Sequence, residues 1–119
     1  MIKKLVTIAA LAMLLGSPAS YADELVASSI PGNKLFKYCE EEDGFFEGVC
    51  VGYVLGIYDS LVLAGIGDPV LRICPPIGVS NEQNRDIVRK YLRDNPEKRH
   101  KGAHYLVAVA LLSAFPCSD

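Results

Sequence analysis

One apolar stretch constrains this chain more than any other: Gly48 to Gly65, GVCVGYVLGIYDSLVLAG. It is long enough to be the central helix of a small domain or a membrane span. Gly48, Gly52, Gly56 and Ser60 recur every four residues, which aligns them as one smooth strip on a helix. Interior glycines cost a helix roughly 1 kcal/mol each relative to alanine, so three of them need an offset. Close approach of another backbone supplies one. The strip, with Gly52 and Gly56 at its centre, is therefore expected to hold another helix of the same chain. A second copy across a dimer axis is the alternative. Asp59 argues against a span, since an aspartate at a membrane-helix centre costs about 2.5–3.5 kcal/mol on insertion scales. Flanking anchors are also lacking. The stretch reads as a buried helix, near Phe45 to Ala64, on which the others pack. Asp59 is expected to cap or hydrogen-bond a neighbouring element, with a binding role as the rival reading.

The segment before it belongs to export. Met1 to Ala22 carries Lys3 and Lys4, an apolar run from Leu5 to Leu15, and small residues at Ser20 and Ala22. That is the pattern of a cleavable secretory signal, with no membrane span left after cleavage. Residues 23–119 then form one domain, small enough for staples to help. Without Lys3 and Lys4 the balance is 10 basic to 14 acidic residues, a net charge of −4. Nucleic acid is excluded as a partner on that balance. All four cysteines, Cys39, Cys50, Cys74 and Cys117, follow the signal, and an even count in a small exported domain implies two disulfides.

The remaining pattern is helical. Asn33 is placed to cap a short helix that carries Leu35, Phe36 and Cys39 on one face. The acid run Glu40 to Asp43 and Gly44 mark its end. Gly65 to Gly78 is a Gly/Pro loop holding Cys74. Ser80 and Gln83 make a capping box for a helix carrying Ile87, Val88, Tyr91 and Leu92, which ends near Asn95 before Pro96. Pro96 is expected to open a single helical turn capped by Asn95. Ala103, Leu106, Val107, Ala110, Leu111 and Ala114 predict a last helix, buried more completely than its predecessor. The fold class is all-α: a small disulfide-stapled bundle of about four to five helices. Up-and-down packing of these helices would pair Cys39 with Cys50 and Cys74 with Cys117, although sequence alone leaves three connectivities open.

No catalytic constellation is present, so the chain is not read as an enzyme. Oxidised cysteines are not nucleophiles. His100 and His104 stand four apart, but the residues between them are Lys101, Gly102 and Ala103, not those of a zinc-protease helix. One loop histidine and one helix-surface histidine is the plainer reading. No cofactor or metal is expected, and the inference from residues alone stops at an exported binding protein.

The ordered pattern takes the reading further. Cys39 is followed by C-V-G-Y-V-L-G-I-Y-D from Cys50 to Asp59, then C-P-P at Cys74. V-x-x-Y-L-R-D-N-P-E-x-R-H runs from Val88 to His100, and A-x-x-L-V-A-V-A-L-L-S-A-F-P-C from Ala103 to Cys117. This resembles the Rap/Tai family of type VI secretion immunity proteins across nearly the whole of residues 23–119. The resemblance implies a periplasmic helical protein, often a homodimer, that binds a secreted cell-wall amidase toxin and plugs its active site. Such an amidase resembles papain-like Cys/His peptidoglycan peptidases. Plugging a cleft favours a stiff, protruding loop. That points to Asn95, Glu97, Arg99 and His100 as contacts, with Asp68 and Arg72 of the loop pinned by Cys74. The rival class is a small periplasmic stress chaperone or envelope-integrity binding protein.

Overall fold

The computed structural model describes residues 30–118; the signal assigned to Met1–Ala22 lies outside them. Four α-helices follow in order: α1 Gly32–Glu40, α2 Gly44–Ala64, α3 Asn81–Asp94 and α4 Ala103–Ala114. Single 3₁₀ turns occupy Pro69–Leu71 and Pro96–Lys98. The described residues contain no strand, only an isolated bridge between Pro31 and Gly102. The all-α expectation holds, and the helix ends fall within two residues of those read from the sequence.

The core sits between α4 and the inner faces of the other three helices. Ala103, Leu106, Val107, Ala110 and Leu111 of α4 are buried, against Leu35 and Cys39 of α1, Cys50, Val54 and Leu61 of α2, and Val88 and Leu92 of α3. Full burial of each large aliphatic side chain stabilises the fold by about 1.5–3 kcal/mol. Helix α3 starts as its sequence predicts: the Ser80 hydroxyl accepts from Gln83 N–H, and the Gln83 side chain accepts from Ser80 N–H. Helix α1 does not. Pro31 is its N-cap, and Asn33 lies inside the helix, where its backbone N–H donates to the Arg99 carbonyl at 2.8 Å. The carbonyls of residues 99 and 101 satisfy the helix start, so no capping side chain is needed. Asn95 likewise gives no side-chain cap to the turn after it; its amide donates back to the Tyr91 carbonyl.

Gly32 has a role that its position after Pro31 does not reveal. A Cβ there would meet Leu106 Cδ1 at 2.4 Å and the Arg99 carbonyl oxygen at 2.8 Å. Only glycine lets α1 seat this closely on α4 and the loop before it.

Both disulfides join the expected partners. Cys39–Cys50 is wholly buried, whereas Cys74–Cys117 lies nearer the surface. In the chain-entropy view they contribute roughly 3 and roughly 4 kcal/mol. The packing that brings them together is not plain up-and-down order. Arg85 in the second turn of α3 pairs with Glu47 in the first turn of α2. The connection 65–80 therefore carries the chain back along α2, so that the first turns of α2 and α3 meet.

The largest departure concerns α2. Its buried residues Cys50, Val54 and Leu61 form one narrow line, and Tyr53, Ile57 and Tyr58 are half-buried beside it. The strip of Gly48, Gly52, Gly56 and Ser60 lies on the opposite side and is exposed. Nothing lies within 4 Å of a Cβ built at any of the three glycines, and the Ser60 hydroxyl turns back to the Gly56 carbonyl at 2.7 Å. The expectation that this strip holds another helix of the same chain is thus corrected. Only 17% of the helix's most apolar window is buried, so α2 is not the buried helix that its composition suggested. By length and composition alone it could cross a membrane. Asp59 is also exposed and, among the described residues, makes no hydrogen bond or ion pair. Its expected capping role is absent.

Candidate partner-binding surface

The loop from Asn95 to Gly102 is braced by backbone hydrogen bonds, within itself and to α1. Pro96 supplies the fixed φ that starts a 3₁₀ turn. Lys98 N–H bonds the Asn95 carbonyl at 3.0 Å, Arg99 N–H that of Pro96 at 3.3 Å, and Lys101 N–H that of Lys98 at 2.9 Å. The carbonyls of Arg99 and Lys101 then receive the Asn33 and Gly32 N–H groups of α1, both at 2.8 Å. Within this frame the four nominated residues divide. Asn95 and Arg99 are half-buried and engaged in the fold: Asn95 bonds Tyr91, and the Arg99 guanidinium lies 4.2 Å from the Phe36 ring centroid. Glu97 and His100 are exposed and point to solvent. His104 is exposed on α4, so the histidine reading of one in a loop and one on a helix surface holds.

The other nominated pair sits elsewhere. Asp68 accepts from Val70 N–H at 2.9 Å and so caps the Pro69–Leu71 turn. Arg72 Nε donates to the Gly65 carbonyl at 3.2 Å, folding the loop against the end of α2. Cys74 N–H bonds the Phe115 carbonyl at 2.9 Å, and the Cys74–Cys117 bridge fastens the same place. This loop is therefore tied to the C-terminal end of α4, and the Asn95–Gly102 loop to its N-terminal end. The 12 residues of α4 separate them by about 18 Å. The six residues do not form one patch; a partner touching both loops must span the length of α4.

A third surface escaped the sequence reading. Phe45 is 79% exposed, Leu63 71%, Ile66 78% and Val70 79%. With the bare glycine strip they form a largely apolar side along α2 and into the following loop, interrupted by the exposed Asp59 and Ser60. The Phe46 ring stacks on Tyr38 at 5.0 Å and meets Phe45 edge-on at 5.4 Å, which orders the start of this side. An apolar run with no polar face carries no periodic signal that says which side is covered. The one available signal is the glycine strip, and the structure removes a helix of the same chain as its neighbour.

No group of three or more His, Cys, Asp or Glu side chains among the described residues is placed to hold a metal ion. What these surfaces offer is binding: a braced polar loop at one end of α4, a mixed loop carrying Asp68, Arg72, Ile66 and Val70 at the other, and a largely apolar side of α2.

Residues 31–117 match the family model of the Rap1a immunity proteins. Neither the curated proteins nor the solved structures gave a match. The matched range takes in all four helices, both fastened loops and all four cysteines. The chain belongs to the Rap1a immunity protein family, whose members protect against a secreted toxin.

Proposed function

We propose that this protein is exported to the periplasm, loses Met1–Ala22, and there binds and blocks a peptidoglycan amidase delivered by type VI secretion. The observation that carries the reading is the family match across residues 31–117. Two disulfides support an oxidising compartment. The stiffness of the Asn95–Gly102 loop supports inhibition by occupancy, since a preorganised loop loses little entropy on entering a cleft. Glu97 and His100 are the contacts of first choice, and Asn95 and Arg99 hold the loop in shape. Asp68 and Arg72 serve a second contact at the other end of α4. The protein acts as an inhibitor and not as an enzyme, with no cofactor.

The apolar side of α2 suits a second copy of the chain. Bare glycines let two helices approach closely, and the exposed Phe45 and Leu63 gain burial on pairing. A homodimer would also remove the cost of leaving that side in water. The same exposed residues favour, as the second reading, a small chaperone that offers apolar surface to unfolded clients.

The deciding experiment expresses type VI amidases in the periplasm of a sensitive strain, with and without this protein. Rescue by the wild type, weakened when Glu97 and His100 are both alanine, is the expected result. Absence of rescue against every amidase, with protection of unfolded clients from aggregation, would replace immunity with the chaperone reading.

A further inference from the structure

The cations of this molecule fall into two groups. Every cation of α3 has a carboxylate partner: Arg85 with Glu47, Arg89 with Asp86, Lys90 with Asp94 and Arg93 with Glu40. Arg72 is bonded to a backbone carbonyl. The remaining lysines and arginines of the described residues, Lys34, Lys37, Lys98, Arg99 and Lys101, have no carboxylate partner there. The bonds from Gly32 and Asn33 join the start of α1 to residues 99–101, so at this edge the backbone that carries Lys34 adjoins that of Arg99 and Lys101. Lys37 sits in the last turn of α1, and Lys98 turns to Tyr91 of α3. Lys34 and Lys37 line a shallow groove with Pro31, Asn33 and Tyr38.

Aromatic rings, in place of carboxylates, lie under four of these five cations, Lys37 being the exception. Arg99 lies over Phe36 at 4.2 Å, Lys101 over Tyr105 at 5.4 Å, Lys98 over Tyr91 at 5.9 Å and Lys34 over Tyr38 at 6.0 Å. A ring face orients a cation without neutralising it. The Arg99 Nε is buried with no hydrogen-bond partner. Helix α1 has no acid in its first turn, so its dipole adds positive potential at the same edge. Glu97 is the one acid within the 96–101 turn. Crowding like charges without partners is unfavourable in the free protein, and an incoming carboxylate surface relieves it.

We propose that this edge is a docking surface for an acidic protein face, and so that the partner presents carboxylates where it meets Lys34 of α1 and Lys101, and a hydrogen-bond donor or cation where it meets Glu97. The inference rests on the toxin-binding reading and names the chemistry of the contact.

The test uses immobilised poly-L-glutamate as the acidic-protein probe and phosphatidylglycerol vesicles as the lipid alternative. Residues 23–119 carry a net charge of −4, 10 basic against 14 acidic residues, so capture by a polyanion requires a local basic surface. Expected is salt-sensitive retention on polyglutamate, about tenfold weaker for K34E/K37E/K101E and unchanged for K90E/R93E, with thermal melts showing both variants folded. No retention, equal weakening by the two variants, or capture by vesicles at least as strong as by polyglutamate would each overturn the proposal. Rescue of intoxicated cells is scored separately. Polyglutamate binding without rescue would sink the immunity reading and leave the acid-seeking edge standing.

Discussion

Helices α2 and α4 are both apolar around most of their circumference, yet α4 buries five of its 12 residues and α2 only three of its 21. The difference lies in their neighbours. Helix α4 packs against α1, α2 and α3, so most of its apolar residues find a partner, and a side with His104, Tyr105 and Ser113 faces solvent. Helix α2 packs along one line, and its glycine side is left bare. Apolar composition therefore measures a demand for burial, and tertiary or quaternary contact decides whether it is met within the chain. In α4 the demand is largely met internally, and in α2 it is left unmet within the described residues, which supports the proposed second copy there.

The sharpest way to break this comparison is truncation on each helix. Leu111→Ala in α4 should cost about 2–5 kcal/mol, since it opens a cavity in a closed core. Leu63→Ala on α2 should stay within about 0.5 kcal/mol for the monomer. Urea unfolding at low protein concentration measures both, and equal losses would show that α2 is covered within the chain after all.

Glycines give the next largest contrast. Gly32→Ala should destabilise by about 1–3 kcal/mol, because the added methyl meets Leu106 and the Arg99 backbone. It should also loosen the Asn95–Gly102 loop, visible as faster amide exchange at Gly32 and Asn33. No change in either would mean that the seam between α1 and α4 is not tight.

Gly52→Leu tests the outward side. It has room in the monomer but would block close approach of a second backbone, so self-association in sedimentation velocity should weaken by about tenfold or more. An unchanged oligomeric state would remove the glycine strip from any interface. The smallest effect is Gly56→Ala. In a monomer it should raise stability by about 0.5–1 kcal/mol, as expected for an open helix interior. A loss instead would reveal a contact on that side.

Much of the fold was legible because its signals are local. The Ser80–Gln83 box, the stop at Pro96 and the buried spacing of α4 each depend on a few adjacent residues. The cysteine pairs were reached by a packing argument that proved too simple, since the first turns of α2 and α3 meet. The capping roles given to Asn33, Asn95 and Asp59 failed because an Asx side chain is only one way to satisfy or use a helix end. At α1 the carbonyls of residues 99 and 101 took that place, from a loop more than sixty residues away. Of the candidate surface, the stiff loop at Pro96 could be read, but the separation of Asp68 and Arg72 from it could not.

The sequence by itself determined the helices, the presence of two staples and the family, since period, cysteine count and motif order are written along the chain. Only the tertiary structure decided which side of α2 is covered, where the unpaired cations gather, and that the two nominated loops stand at opposite ends of α4. Those are relations between residues far apart in sequence. An apolar or charged residue carries its preference for company in its side chain, but the identity of that company exists only once the chain has packed.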